Sequence, residues 1–309
     1  MCALEFSEIG VVRLVDVSEP EAKDGEVIVE IDAAGVCGSD IHGIHGGFMR
    51  VPPLIMGHEL TGTVDGRRVA VNPLISCREC GLCRSGDDQL CRERRIIGIH
   101  VAGGFAERVA VPASSLVEVP ADMSASAAAL IEPLAVSLRG WRHGSATPDS
   151  RVAILGAGSI GLGVLAAALI DHVAVTVVDL SRARLATAER IGAGHVTTDL
   201  EGEFDVIIDA VGAEATHRAS VARLAPQGTA VWIGNVSDIA GFDAREIVRG
   251  EQVLRGSFAY SSTDFKDAAV LAQSVDTDWV ESRALAEAVE VFASVGAGEA
   301  AAIKYQFVP

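Results

Sequence analysis

Cys77, Cys80, Cys83 and Cys91 place four thiols within fifteen residues. A segment this short cannot bury a core, but its thiolates can wrap a tetrahedral zinc ion. Disulfides are the competing use of such a set, and they require an oxidising compartment. The first twelve residues carry Glu5 and Glu8 where a secretory signal needs a basic region and then an apolar block. The chain is therefore expected in the cytoplasm and the thiols on zinc. Four thiolates leave no open coordination position, so this metal is expected to be structural, its binding free energy serving the folding of the lobe.

A second set is dispersed over Cys37-Gly-Ser39-Asp40-Ile-His42, Gly57-His58-Glu59 and Ile131-Glu132-Pro133. Singly, Cys37 reads as a core thiol, His58 as a satisfied histidine, and Glu59 or Glu132 as a solvated carboxylate. Together, one thiolate, one imidazole and one or two carboxylates form a mixed ligand set for a catalytic metal. A carboxylate exchanges with water, which leaves a position for a substrate oxygen.

The third set is Gly156-Ala-Gly158-Ser159-Ile160-Gly161, with Asp179 following 23 residues after the first glycine. It follows an apolar strand-like segment and opens a helix, as a dinucleotide fingerprint must. The glycines permit a tight turn and close backbone approach. The helix start at Ser159 and Ile160 faces a pyrophosphate, and Asp179 accepts from the ribose hydroxyls. A carboxylate there repels a 2′-phosphate, so NAD is expected rather than NADP. Arg184 and Arg182 lie near enough to bear on that choice, or are helix-surface charges.

The elements that must position these groups fall into two textures. From residue 151 onward, strand segments at 152–155, 173–178, 204–210 and 229–234, with an edge segment at 253–260, alternate with helical patterns at 160–170, 182–191 and 215–224, the last ended by Pro226 and Gly228. That alternation predicts a doubly wound parallel α/β sheet. Before residue 133 the strands are short and punctuated by glycine and proline, at 26–31, 60–64, 67–71 and 108–111, with Asp65-Gly66 as a two-residue hairpin turn. The last forty residues carry a helix with Leu285, Val289 and Phe292 on one face and a closing strand near 302–307. The expected domains are 1–133 with 271–309 returning to it, and 134–270. A net charge of −17 without a basic run argues against nucleic acid or anionic membrane as partner and for a small molecule. The apolar stretch 152–170 is broken by four glycines and reads as strand, turn and helix rather than a membrane span.

These motifs, with Gly104-Phe105-Ala106-Glu107, Ile131-Glu132-Pro133-Leu134-Ala135 and Ala302-Ile303-Lys304, make the chain resemble the zinc-containing medium-chain alcohol dehydrogenases, in their sorbitol and polyol branch. The resemblance covers the whole chain. It implies a GroES-like β catalytic domain built from both chain ends, a central Rossmann NAD-binding domain, and one catalytic and one structural zinc per chain. It places the catalytic ion on Cys37 and His58 with Glu59 or Glu132. Ser39 takes the substrate proton, His42 passes it to solvent by way of the coenzyme ribose, and the hydride of a secondary alcohol goes to NAD. Two departures stand out. The connection between Val64 and Arg67 is shorter than the family's, and Ala259-Tyr260 stands where sorbitol-type enzymes have Arg-Tyr, with Gly43 in place of an aromatic, which turns the expected substrate away from sorbitol. The alternatives are a zinc-free quinone or enone reductase on the same scaffold, and a catalytically silent nucleotide-sensing or structural homologue. The apolar edge at 253–260 points to association, and the resemblance implies a homodimer or homotetramer.

Overall fold

The computed structural model describes residues 1–46 and 49–309. They divide into a unit formed by Met1–Glu132 with Ser261–Pro309 and a unit formed by Pro133–Tyr260.

The first unit is organised by the long strand Glu26–Gly35. Its first half pairs with Arg108–Pro112, and its second half pairs with Glu59–Val64 on one side and Lys304–Val308 on the other. Gly35 thus lies opposite both Glu59 and Gln306. The sheet extends through Arg67–Val71 to Leu116–Glu118 at one edge and through Lys304–Val308 to Val280–Ala284 at the other. Asp65 and Gly66 both take positive φ, 49° and 75°, as a two-residue type I′ hairpin requires. The core draws on both chain ends. Phe105 packs edge-on to Phe292 and Phe307, ring centroids 6.0 and 5.2 Å apart, and burying each such ring stabilises the unit by about 2–3 kcal/mol.

The chain re-enters this unit at Ser261, ten residues before the expected position. Ser261 Oγ caps the helix Ser262–Leu271 by accepting from Asp264 N, and Ser262 N donates to Asp88 at 3.0 Å, tying that helix to the cysteine-bearing segment. The C-terminal helix also differs from its expected face. A 3₁₀ turn, Leu285–Glu287, precedes the α-helix Ala288–Gly296. The tighter winding advances the phase, so Leu285, Ala288, Val291 and Phe292 are buried while Val289 is 40% exposed.

The second unit holds a parallel sheet in the order His195–Thr197, Val175–Val178, Val152–Leu155, Phe204–Asp209, Leu224–Trp232, Val253–Gly256. This is a Rossmann-type doubly wound arrangement, its order reversing beside the central strand Val152–Leu155. The helices Ser159–Ile170, Arg182–Ile191 and Glu214–Ala222 connect successive strands. Pro226 and Gly228 do not separate a helix from a strand: Leu224 already pairs with Phe204, pairing resumes at Thr229 with Val206, and Pro226-Gln227-Gly228 bulges out between. The edge strand stops at Gly256, short of the expected residue 260. Among the described residues no helix is long and apolar enough to cross a membrane.

Candidate functional site

The mixed ligand set is assembled by one turn and one short helix. Gly57, at φ 97°, turns the chain into the strand Glu59–Val64, and a Cβ there would lie 2.8 Å from Phe105 N. Phe105 N donates to Met56 O and Gly104 N to Gly57 O, so the buried Phe105 cluster anchors the turn that presents His58 and Glu59. Cys37 caps the helix Gly38–Gly43: its sulfur accepts from Ser39 N, and its own N–H donates to Asp40 Oδ2 at 3.0 Å. The donor atoms of Cys37, His58 and Glu59 lie within 4.8 Å of one another. Glu132, buried in the first turn of the helix Ile131–Gly144, does not join that triplet, although its charge acts on Lys304.

Around the triplet lie charged groups that spacing alone did not single out. Asp40 Oδ1 faces His58 Nδ1 at 3.4 Å, and Arg50 donates to the same oxygen at 2.6 Å, both side chains fully buried. Burial alone would raise the Asp40 carboxyl, but His58 and Arg50 outweigh it and hold it at about 2. Burial pulls the His58 imidazole down, while Asp40 and Cys37 push it well above its ordinary value. A metal entering here must displace that proton. The Asp40 carboxylate also fixes which ring nitrogen remains for a metal, as carboxylate partners of metal-bound histidines do. Arg50 further donates to Ser39 O at 2.9 Å and to Ser39 Oγ at 3.3 Å. Ser39 and His42 are three residues apart on one helix face, Ser39 half-buried and His42 exposed.

Glu59 is matched by Lys304 from the C-terminal strand. Lys304 Nζ donates to Oε1 at 2.6 Å and touches Oε2, which has no directed hydrogen bond. Burial works against the Lys304 ammonium, but Glu59 and then Cys37 raise its pKa overall. Gly35 makes room for this pair, since a Cβ there would lie 2.1 Å from Glu59 Oε2. One signal for Lys304 was present in the sequence: a lysine in a closing strand that carries Tyr305 and Phe307 must be paired if it is buried.

The sulfurs of Cys77, Cys80, Cys83 and Cys91 also converge within 4.8 Å. Cys77 N and Cys80 N point at the sulfurs of Cys91 and Cys77, at 3.5 and 3.4 Å, as amides do around thiolate clusters. The N–H of Cys83 lowers the Cys80 thiol to about 7.

In the second unit Gly156 takes φ 96°, and a Cβ at Gly161 would lie 1.8 Å from Gly156 O, so the helix Ser159–Ile170 packs against the turn only without a side chain there. Gly158 differs: an added Cβ would meet nothing within 4 Å, which leaves an open cradle before the amides of Ser159 and Ile160. Asp179 accepts from Ala157 N at 2.7 Å and Ser181 N at 2.8 Å, with Arg184 Nη1 3.9 Å from its Oδ2.

Residues 23–121 match the alcohol dehydrogenase GroES-like domain family and residues 159–274 the zinc-binding dehydrogenase family. The chain is 32% identical over 281 residues to an L-galactonate-5-dehydrogenase of Escherichia coli (strain K12), covering 80% of this chain and 79% of that one. It is 30% identical over 278 residues to a sorbitol dehydrogenase of Arabidopsis thaliana, with 79% and 76% covered. A structure described as a zinc-binding dehydrogenase from Sinorhizobium meliloti 1021, bound to NADP, superposes with a TM-score of 0.90 at 29% identity, covering 100% and 99% of the two chains. Matched in both units and aligned with such relatives along most of its length, the chain belongs to the zinc-containing medium-chain alcohol dehydrogenases, in the polyol branch, and is a zinc-dependent alcohol oxidoreductase.

Proposed function

We propose that the chain oxidises a secondary alcohol of a polyol, sugar or related hydroxy compound with NAD, NADP being the less favoured coenzyme, and uses one catalytic and one structural zinc. Cys37, His58 and Glu59 would hold the catalytic ion, with Glu132 as a nearby alternative carboxylate, and Cys77, Cys80, Cys83 and Cys91 the structural one. The single observation that carries this reading is the convergence of thiolate, imidazole and carboxylate within 4.8 Å. The donor set fits zinc in type, and three protein ligands leave a fourth position open. Zinc so held supplies Lewis-acid character that makes an alcohol hydroxyl more acidic.

The chain's own residues do the rest. Ser39 Oγ accepts the hydroxyl proton. Arg50 donates to that oxygen and orients it, so that the serine hydroxyl's own proton is the one passed on as the new one arrives. His42, exposed on the same helix face, delivers the proton to solvent. Asp40 holds the His58 ring in place, and Lys304 pairs with the buried Glu59 carboxylate. Asp179, fixed by two backbone amides, accepts from the coenzyme ribose and disfavours a 2′-phosphate. Arg184 sits beside it and is the feature that would admit NADP.

The names of the relatives support a sugar-derived hydroxy substrate. A homodimer or homotetramer is the proposed assembly, supported by the edge strand Val253–Gly256 and by Val253 and Phe258, which are 48% and 45% exposed. Thiolate ligation of zinc calls for a reducing compartment, so the cytoplasm is the proposed location. Cys37→Ser and His58→Ala are expected to abolish alcohol-dependent NADH formation while the circular dichroism spectrum stays that of the wild type. Normal turnover in either variant would overturn the reading.

A further inference from the structure

The strand Phe204–Asp209 ends on a fully buried carboxylate. Asp209 Oδ1 accepts from Val211 N and Gly212 N, each at 2.9 Å, and so dictates the turn that leaves the sheet. That turn is packed against the glycine fingerprint, because a Cβ on Gly156 would meet Val211 Cγ2 at 2.6 Å. On its other side, a Cβ on Gly212 would lie 2.0 Å from Gly234 C, so the turn has little room to drift.

Asp209 Oδ2 has no hydrogen-bond partner. Facing it at 3.9 Å is Nε2 of His217, from the helix Glu214–Ala222. The His217 side chain is 7% exposed, and neither ring nitrogen is hydrogen-bonded. The ring lies stacked on Trp232, centroids 4.1 Å apart and planes 28° from parallel. Trp232 is fixed in turn, its Nε1 donating to Ser220 Oγ at 2.9 Å, and Ser220 Oγ donates to His217 O at 2.8 Å.

Three buried polar atoms left unpaired in one place are unusual and costly. A shift of about 1 Å brings Nε2 to hydrogen-bond distance of Oδ2, and one proton shared across that contact satisfies two of the three. Burial pushes the Asp209 carboxyl up, against the pull of the Gly212 amide, the Thr216 hydroxyl, the Val211 amide and His217. The other charged groups on the surrounding elements are engaged elsewhere or exposed. Glu214 and Arg218 pair with each other, Asp205 pairs with Arg151, and Arg245 pairs with Asp243. Glu246 and Arg249 are exposed, and the strand Leu224–Trp232 carries no charge.

We propose that His217 is a positioning residue for coenzyme binding: by sharing a proton with Asp209 Oδ2 it keeps Oδ1 on the Val211–Gly212 turn, and through Val211 keeps the glycine turn in its dinucleotide-receiving shape. This rests on the reading that the fingerprint holds the coenzyme. At alkaline pH the imidazolium gives up a proton and leaves the buried carboxylate without a compensating charge, and at acid pH protonation of Asp209 leaves an uncompensated imidazolium. Coenzyme affinity therefore passes through a maximum with pH.

The test uses the zinc-loaded full chain, with NADH binding measured by titration across roughly pH 5.5–9. Tryptophan fluorescence is followed over the same range, because an imidazolium stacked on indole quenches it. In the wild type, affinity peaks and falls on the alkaline side, and fluorescence shows a pH-dependent step. His217→Phe, which keeps the stacked ring without its nitrogens, binds NADH about tenfold more weakly and loses both the affinity maximum and the fluorescence step, with kcat at saturating coenzyme unchanged. His217→Gln, which restores a donor, recovers most of the affinity without the step. A wild type that shows no fluorescence step, or a His217→Phe variant with wild-type affinity and pH profile, overturns the inference alone. A wild type that binds no NADH overturns the coenzyme reading itself.

Discussion

Lys304→Met removes the ammonium that faces Glu59 while keeping most of the side chain's volume. Both partners are buried, with side chains 2% and 1% exposed, so water cannot compensate the carboxylate left behind. Breaking such a pair from one side costs about 3–5 kcal/mol, a large fraction of the roughly 5–15 kcal/mol that stabilises a typical fold. At roughly 2–4 °C per kcal/mol for a large domain, the melting transition of the first unit should fall by about 6–20 °C. Glu59→Gln in the same background removes the stranded charge, so the double variant should recover most of the loss, with a coupling energy of at least about 2 kcal/mol. Differential scanning calorimetry of the four proteins in the cycle measures this directly. A single-variant cost below about 1 kcal/mol, or strictly additive effects, would refute the idea that Lys304 is what compensates the buried Glu59 carboxylate beside Cys37 and His58.

Other outcomes follow from the same geometry. Gly158→Ala should leave stability within about 0.5 kcal/mol of wild type, because the site is open and φ is −78°; dinucleotide affinity should nonetheless fall by on the order of tenfold as the methyl fills the cradle, which isothermal titration reads. Asp179→Ser should move the ratio of kcat/KM for NAD to that for NADP toward NADP by about tenfold or more, since one carboxylate no longer opposes the 2′-phosphate and Arg184 is released. In Cys80→Ser, the zinc content should fall by about one ion per chain and the melting temperature should drop; unchanged metal and stability would count against a structural ion in that lobe.

What the sequence disclosed and what it withheld divide by range. The cysteine lobe and the glycine fingerprint are set by spacings within a few residues of one another; the four sulfurs converge, and the glycines lie on the turn between strand and helix. The chemistry that supports the mixed site is long-range. Lys304 meets Glu59 across 245 residues of chain, and Arg50 reaches Asp40 only once the helix Gly38–Gly43 has turned its buried face. Neither contact leaves a periodic signal. Local errors had local causes. Val289 fell on the wrong face because a 3₁₀ turn precedes its helix. Pro226 marked a bulge rather than a boundary, because a strand can resume pairing after a three-residue detour. The strand His195–Thr197 is too short and too polar to show period two. His217 and Asp209 read as ordinary helix and strand residues until the sheet brought them face to face.

The central claim is that a thiolate, an imidazole and a carboxylate on the first unit hold a catalytic zinc in addition to the structural ion. Its most direct test is zinc content measured together with alcohol-dependent NADH formation in wild type and Cys37→Ser. About two ions per chain should fall to about one, with turnover lost and the cysteine lobe still loaded. Retention of both ions with turnover intact would contradict it.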